Sequence, residues 1–456
     1  MSKKAFADIN IVIDMGYGDS GKGTIVDFMT GEIMRSGKEV MNVRFSGGPQ
    51  CGHNVIHKAG TPDFPDEHHT FSQFGAGTLN GDTVITHYGK DALLDPLAWQ
   101  KEAVHLATMG YTEAPAKFTA DPNCFILHEI HGAANRVKET LRGTTRHGSC
   151  GRGIGEAGFV LEECDPKYHI FLKTLHTSKK SEVVTILTDL VLLYRDVVFG
   201  NKQDDIRQFR NEGLLSLPDS MLFSKDTTLT DLDARINVIA EDMEKGIHVL
   251  CMQADKDALV AAREKGMSLV FEGSQGVLID RRVGFFPHVT RSDVTSRLAL
   301  RMLDEAGLLN SDIKVTGVTR TYMARHGSGP LPSYNALYTE KLSDKYNPVN
   351  PWQGQMRCGY LDIPMLQYAF NRMTTLKRCE IAVTHLDAKI DGAVPEILTE
   401  YQEMTDDPNA WQVKKTSAAP KDISMIEHAN HIAHLIGCCD ASILSFGPTN
   451  QDKELR

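Results

Sequence analysis

The sequence predicts an α/β protein with a large, mainly parallel central sheet, helical excursions and long active-site loops. Short β-branched runs alternate with helical patterns along the chain, an arrangement typical of parallel sheets. The first run, residues 9–13, leads into a glycine-rich turn and then into apolar residues at helical spacing. A strand, turn and helix in this order is the context in which a helix N-terminus binds phosphate.

The elements can be assigned in chain order. The strand at 9–13 is short and mostly β-branched, as a buried parallel strand should be. A helix follows Gly23 and is expected to end at Gly31, because glycine commonly terminates helices. Further strands are predicted at 39–45, 83–86, 268–271, 314–319 and 380–386.

Two longer segments depart from the alternation of strands and helices. Residues 175–265 predict a mostly helical excursion, with an exposed, charged connection at 200–210. Residues 335–356 carry several prolines and asparagines without a clear period, so they predict a long loop near the substrate. No shift in composition marks a boundary, and one domain over residues 1–456 is expected.

Composition narrows the class of protein. The formal net charge is −10 and no long run of lysine or arginine occurs, which argues against a nucleic-acid partner. No apolar stretch approaches the roughly 20 residues needed to cross a membrane, and the first strand begins too early to leave room for a signal peptide. The nine cysteines are scattered, which favours reduced thiols and a cytoplasmic protein.

The turn after the first strand resembles a Walker phosphate loop but departs from it twice. Gly16, Gly21 and Lys22 fit the motif. Gly23 occupies the position of the magnesium-binding hydroxyl, and Asp19 adds a carboxylate inside the loop. An anion in a nest of amide groups is unfavourable unless a cation or an acidic proton lies beside it. We therefore expect Asp19 to be a metal ligand, a base or both.

Further glycine-rich segments follow apolar runs, at the strand ends where open α/β sheets bind ligands. His53 lies in the first of these segments, where it can act as an acid or a base. A lone histidine is more often structural, but its glycine-rich surroundings favour a functional role. The segments are residues 45–54, 147–155, 271–280 with 287–293, 325–330, and 384–387 with 445–448.

The order and spacing of these segments resemble the adenylosuccinate synthetase family, GTP-dependent ligases of purine biosynthesis, over nearly the whole chain. The family's Gly-Asp-Glu-Gly-Lys-Gly loop is similar to residues 18–23, and its Gly-Gly-x-Asn-Ala-Gly-His is similar to residues 47–53. Its other glycine-rich motifs are similar to residues 148–155, 272–280, 384–387 and 445–448. Several matches in the family's order are more specific than any one of them.

The resemblance implies roles for individual residues. Asp19 would remove the purine N1 proton, His53 would act as the acid at O6, and Lys22 would contact the phosphates of GTP. Asp19 and the carbonyl of Gly52 would bind Mg²⁺. The implied GTP-binding residues are Gly18, Gly21, Lys22, Gly23, Gly52, His53, Asn54, Asp387, Ser445 and Gly447. The implied contacts to the substrate nucleotide are Asp19, Gln50, Ser149, Cys150, Gln275 and Thr290, and those to the amino acid are Arg325 and Arg357.

The implied reaction phosphorylates O6 of a 6-oxopurine nucleotide, with IMP favoured, and replaces it with the amine of an amino acid, expected to be aspartate. The product would be adenylosuccinate. GTP and Mg²⁺ are the expected co-substrate and cofactor. The expected partners are small molecules and a second copy of the chain, with neither nucleic acid nor membrane.

Departures from the family pattern leave alternatives open. The family's arginine-rich loop for the amino acid corresponds to residues 351–362, which retain only Arg357. This loop and the run 290–293 favour a phage branch that acts on GMP or dGMP to give 2-aminoadenylosuccinate, whereas Asp19 and Asp387 favour IMP.

No arginine occurs between residues 153 and 192, so the family's phosphate contact from a partner subunit lacks a counterpart. A non-catalytic nucleotide sensor and an ordinary P-loop GTPase or kinase are the competing classes.

Overall fold

A computed structural model describes residues 6–58, 67–247, 250–342, 347, 349–373, 378–405, 407–418 and 423–456. Its strands are β1 (Ile9–Asp14), β2 (Val40–Arg44), β3 (His53–Lys58), β4 (Glu67–Phe71), β5 (Ile85–Tyr88), β6 (Leu93–Leu94), β7 (Phe118–Ala120), β8 (Phe125–Ile126), β9 (Cys251–Met252), β10 (Ser268–Gly276), β11 (Ile313–Thr319), β12 (Met323–Arg325), β13 (Arg357–Gly359), β14 (Leu361–Asp362), β15 (Cys379–Val383), β16 (Ile397–Tyr401), β17 (Val413–Ser417), β18 (Ala441–Ser445) and β19 (Lys453–Leu455).

The helices are α1 (Lys22–Arg35), α2 (Pro96–Thr108), α3 (Glu129–Arg142), α4 (Ile154–Glu163), α5 (Leu172–Thr177), α6 (Lys180–Leu193), α7 (Gln203–Asn211), α8 (Leu217–Phe223), α9 (Leu229–Lys245), α10 (Asp255–Glu264), α11 (Arg297–Glu305), α12 (Ala336–Lys341), α13 (Ile363–Met373) and α14 (Met425–Ile436). Among the described residues, no helix is long and apolar enough to cross a membrane.

Ten strands form the central sheet, in the order β19-β18-β15-β11-β1-β10-β2-β5-β7-β9. Every neighbouring pair is parallel except β18 and β19. The predicted α/β class with a mainly parallel sheet is therefore confirmed. Each of the predicted strands overlaps a strand of this sheet, although β5 begins two residues later than expected and β15 ends at Val383.

The core lies on both faces of the sheet because side chains of a strand alternate in direction. In β1, Val12 belongs to the apolar cluster on the face covered by α1 and by helices α2 to α9. Ile11 and Ile13 belong to the cluster on the opposite face, with residues of α10, α11, α13 and α14. With both faces covered, β1 is buried along its whole length.

Three predicted elements differ in the structure. Helix α1 continues past Gly31 to Arg35, and the glycine serves close packing instead: a Cβ at this position would lie 2.5 Å from the Asn80 Oδ1. The predicted connection at 200–210 contains the polar helix α7. In the predicted loop 335–356, Asn335 caps α12 by accepting from two backbone amides, while residues 343–346 and 348 lie outside the described residues. One domain over the whole chain stays a prediction.

Candidate active site

A cavity of about 1070 Å³ opens beyond the ends of the central strands β1, β10, β11, β15 and β18. It lies where ligands bind in open α/β sheets. With the exception of Arg357, every predicted site residue lines this cavity: Gly18, Asp19, Gly21, Lys22, Gly23, Gln50, Gly52, His53, Asn54, Ser149, Cys150, Gln275, Thr290, Arg325, Asp387, Ser445 and Gly447. The fold thus brings together residues from widely separated parts of the sequence. Their individual roles stay predictions.

The turn between β1 and α1 has the backbone geometry of an anion-binding nest. Gly18, Asp19 and Gly21 have φ values of 105°, 59° and 90°, all in the left-handed region. Aspartate is one of the few residues with a side chain that tolerate this conformation. Gly21 is the N-cap of α1 and provides no side-chain cap, so the first amides of the helix are available to an anion.

Asp14, at the end of β1, organises this turn and was missed in the sequence. Its Oδ1 accepts hydrogen bonds from the Gly16 amide at 2.8 Å and from the Ser20 hydroxyl at 2.9 Å. Its Oδ2 accepts from the Ser20 amide at 2.9 Å and forms a buried ion pair with the Lys22 Nζ at 3.0 Å. A carboxylate at the end of a buried, mostly β-branched strand was the available signal.

Asp19 presents its carboxylate to the cavity, with 36% of the side chain exposed. Its Oδ2 lies 3.5 Å from the Nε2 of His326, which sequence reasoning also missed. Its backbone carbonyl accepts a hydrogen bond of 2.6 Å from the Arg320 Nε. The carboxylate is therefore accessible, and its backbone is fixed.

His53 forms a buried pair with Glu272. The Nδ1 of His53 hydrogen-bonds to the Glu272 Oε1, while the other oxygen of Glu272 accepts from the Ala76 amide at 2.8 Å. The other ring nitrogen of His53, Nε2, is buried and has no hydrogen-bond partner among the described residues. A histidine oriented by a carboxylate with one nitrogen free has the arrangement required of an acid or a base.

Burial and the neighbouring charges have opposing effects on the pKa values of His53 and Glu272. Burial lowers the pKa of His53, against the pull of the Glu272 carboxylate. Burial alone would raise the pKa of Glu272, but the Arg44 guanidinium, 3.7 Å away, and His53 together bring that pKa below its ordinary value. Glu272 lies in the fully buried first half of β10. A charged residue in a buried strand was the feature of the sequence that could have indicated its pairing with His53.

Several predicted contacts to the substrate nucleotide present polar groups that have no protein partner. Both polar atoms of the Gln50 side chain and the Oε1 of Gln275 are buried without a hydrogen bond among the described residues. The Ser149 hydroxyl donates to the Asn135 Oδ1 at 3.0 Å. Burial raises the pKa of the Cys150 thiol, which keeps it protonated. The unpartnered amides indicate a polar ligand, since buried polar groups are normally satisfied.

Asp387, Ser445 and Asn54 also line the cavity and carry oxygen atoms that can accept hydrogen bonds. Burial raises the pKa of Asp387 from its ordinary value. The Ser445 hydroxyl donates to the Gly447 carbonyl at 3.1 Å, which shapes the turn after β18. The Asn54 Oδ1 accepts from the Thr70 hydroxyl at 2.7 Å.

The two arginines predicted to bind the amino acid are engaged with backbone carbonyls. Arg325 donates to the carbonyls of Pro330 and His288 at 2.9 and 3.0 Å, and burial lowers its pKa to about 10. Arg357, outside the cavity lining, donates from its Nη2 to the carbonyls of Gly327 and Gly329, both at 2.7 Å. Both guanidinium groups therefore support the loop that follows β12.

A comparison with protein families identifies the group of enzymes to which this site belongs. A model of the family described as adenylosuccinate synthetase matches residues 11–159 and 195–436, well over half of the chain. The chain belongs to the adenylosuccinate synthetase family. It is a GTP-dependent ligase of purine biosynthesis that forms a C–N bond.

Members of the adenylosuccinate synthetase family match the chain over most of its length. The adenylosuccinate synthetase of Saccharophagus degradans is 27% identical over 463 residues, covering 96% of each chain. That of Marinobacter nauticus is 28% identical over 387 residues, covering 84% of this chain and 77% of the relative.

Two solved structures share the fold. The fully ligated adenylosuccinate synthetase from Plasmodium falciparum has a TM-score of 0.71 at 17% identity, covering 98% of this chain and 100% of the other. The succinoaminodeoxyadenylate synthetase of cyanophage S-2L, bound to dGMP and dATP, has a TM-score of 0.59 at 14% identity, with 98% and 95% covered.

Proposed function

We propose that the protein uses GTP to phosphorylate O6 of IMP and then replaces the phosphate with the amine of aspartate, giving adenylosuccinate. The observation that carries this proposal is the position of two groups in one cavity beside the phosphate loop. Asp19 offers an accessible carboxylate, and His53 offers an unpartnered nitrogen oriented by Glu272.

The chemistry requires a base and an acid at these positions. The C6 of a 6-oxopurine is a poor electrophile, and its oxygen is a poor leaving group. Asp19 would take the N1 proton, so that O6 attacks the γ-phosphorus and GDP leaves. His53 would stabilise the developing charge at O6 and the transferring group. The amine then attacks C6 and forms the C–N bond. The bond between C6 and O6 breaks, phosphate leaves with O6, and the amine loses a proton. General acid–base assistance typically contributes about 10²–10⁴-fold.

The cavity also has suitable ligands for Mg²⁺. Mg²⁺ is usually bound by one or two carboxylates together with substrate phosphates and water. Among the described residues, no group of three or more His, Cys, Asp or Glu could hold a metal alone, but the Asp19 carboxylate and the Gly52 backbone both line the cavity. Asp19 and the Gly52 carbonyl would hold Mg²⁺ next to the phosphates. When bound, it would offset charge on the phosphate oxygens.

Lys22 and Asp387 would bind opposite parts of GTP. The amides at the start of α1 and the Lys22 ammonium suit the phosphates. The Asp387 carboxylate accepts hydrogen bonds, so it suits guanine N1–H and N2–H but not the corresponding edge of adenine. A homodimer and a cytoplasmic location also belong to this proposal.

A second candidate is the same reaction on GMP or dGMP. It is favoured by the altered loop for the amino acid, in which only Arg357 remains and donates to backbone carbonyls. The two candidates differ in the purine and share the phosphoryl transfer and the amine displacement.

The experiment is a matrix of phosphate-release assays. GTP or ATP with Mg²⁺ is combined with IMP, GMP or dGMP, with and without aspartate, and each product is identified by mass. We expect release that depends on GTP, IMP and aspartate together. Release from GTP alone would indicate a GTPase, and no release in any combination would indicate a nucleotide sensor. Asp19→Asn is the control, with turnover reduced by at least about 100-fold and GTP binding retained.

A further inference from the structure

We propose that His326 is a positioning residue that orients the Asp19 carboxylate, holding its Oδ2 so that Oδ1 faces the substrate. This inference rests on the proposed function of Asp19 as the base. The Nε2 of His326 lies 3.5 Å from the Asp19 Oδ2, and 14% of the histidine side chain is exposed. Both ring nitrogens of His326 are buried without a hydrogen-bond partner among the described residues.

The chemistry of the two groups decides which of them donates the hydrogen bond. An ionised carboxylate can only accept hydrogen bonds, so the nitrogen that faces it carries the hydrogen. The Nδ1 of His326 is buried without a partner among the described residues, so nothing there competes for that hydrogen. The separation of 3.5 Å is longer than a formed hydrogen bond. Catalytic hydrogen bonds are often long before the substrate is bound and shorten in the complex.

The chain on both sides of His326 is fixed. Arg325 precedes it at the end of β12 and is fastened to the carbonyls of Pro330 and His288. Gly327 follows it, and its carbonyl accepts from Arg357. The backbone that carries His326 is therefore held on both sides, at a position that places the imidazole beside the Asp19 carboxylate.

The backbone of Asp19 is also held, by an arginine that lies shortly before His326 in the sequence. The Arg320 Nε donates to the Asp19 carbonyl at 2.6 Å, which fixes the left-handed backbone of the loop. Arg320 thereby holds the backbone of Asp19. His326 restricts the side-chain torsions of Asp19, so that the carboxylate is oriented before the purine binds. A misplacement of about 1 Å in a reacting group can cost about 100-fold in rate.

The test compares three substitutions that differ in the donor they supply. Gln places an amide nitrogen near the position of the histidine Nε2, Asn places it near Nδ1 and out of reach of Asp19, and Leu supplies none. We expect His326→Leu and His326→Asn to lower kcat by about 10- to 100-fold with KM values for GTP and IMP changed by less than about twofold. His326→Gln should recover most of the lost kcat.

A merely structural role gives a different result. If Gln and Asn behave alike, if Leu retains kcat within about twofold, or if only KM changes, the proposal is wrong. The comparison of Gln with Asn remains informative if the Leu variant does not fold. His434 provides the matched control, since it forms an exposed pair with Asp440 at 3.2 Å, and His434→Gln should leave kcat unchanged.

A second measurement separates this proposal from the proposed function. The ring ¹⁵N shifts of His326 in the full chain, assigned by their loss in His326→Gln, report which nitrogen carries the hydrogen without any turnover. We expect hydrogen on Nε2 in the parent protein and a changed shift in Asp19→Asn. Hydrogen on Nδ1, or no response to Asp19→Asn, would overturn the positioning role. An inactive parent protein with the expected shifts would instead count against the proposed reaction.

Discussion

The Nζ of Lys22 lies 3.0 Å from the Oδ2 of Asp14, and both side chains are buried. The lysine of the phosphate loop is therefore paired with a carboxylate at the end of β1, the strand that precedes the loop. The same carboxylate accepts hydrogen bonds from the Gly16 and Ser20 amides. One side chain thus sets the shape of the loop and offsets the charge of its lysine.

Replacing Asp14 with Asn should lower the free energy of unfolding by about 3 kcal/mol, because removing one partner of a buried pair leaves the other charge uncompensated. Urea denaturation measures the loss. Glu400 is the matched control, since its pair with the Lys414 Nζ at 2.6 Å is exposed, and Glu400→Gln should leave the free energy of unfolding close to that of the parent. Equal losses in the two variants would contradict a special role for Asp14.

Gly23 is required by its contact with His53, so restoring the Walker pattern at this position should be harmful. A Cβ at Gly23 would lie 2.6 Å from the Cβ of His53. Gly23→Ala should destabilise the protein by about 1–3 kcal/mol through overpacking, although alanine favours a helix by about 1 kcal/mol. It should also lower kcat by displacing His53. Thermal unfolding and phosphate release measure the two effects.

Gly200 is the control for the Gly23 substitution. The position of a Cβ at Gly200 has no heavy atom within 4 Å. Gly200→Ala should therefore leave both stability and kcat close to those of the parent. If Gly23→Ala is as stable and active as Gly200→Ala, the crowding between the loop and His53 is not significant.

The sequence predicted the strands and the cavity residues better than it predicted the contacts among them. β1 and the phosphate loop could be recognised because β-branched residues and glycines act locally. The contacts of Asp19 could not, since it meets Arg320 across 301 positions of sequence. That contact depends on β11 lying beside β1 in the sheet. Gly31 misled the prediction for α1 because a glycine needed for close packing is indistinguishable in sequence from one that ends a helix.

Glu272 orients His53, so its replacement by Gln should impair catalysis more than binding. A neutral amide supports the imidazolium less well than a carboxylate and can present a donor to Nδ1. We expect Glu272→Gln to lower kcat by about 10²-fold, with GTP binding retained. Steady-state kinetics and calorimetry measure the two quantities. An unchanged kcat would show that the Glu272 carboxylate is not needed to orient His53.

A buried histidine pair at the start of α3, formed by the N-cap residue His128 and by His131, should make the protein sensitive to acid. The rings of His128 and His131 lie 3.9 Å apart, and burial lowers the pKa of His128 to about 3. Burial and the neighbouring His128 also lower the pKa of His131 well below its ordinary value. In the unfolded chain both histidines bind protons below about pH 6.5, whereas the folded protein binds them only at lower pH.

The contribution of His128 to stability is therefore fully present above about pH 6.5 and is lost as the pH falls towards 3, by up to about 1.4 kcal/mol per pH unit. His128→Asn should remove this contribution, so that the free energy of unfolding falls less steeply between about pH 6 and 4.5. Urea denaturation at several pH values measures the slopes. Equal slopes for His128→Asn and the parent would show that His128 is protonated in the folded protein.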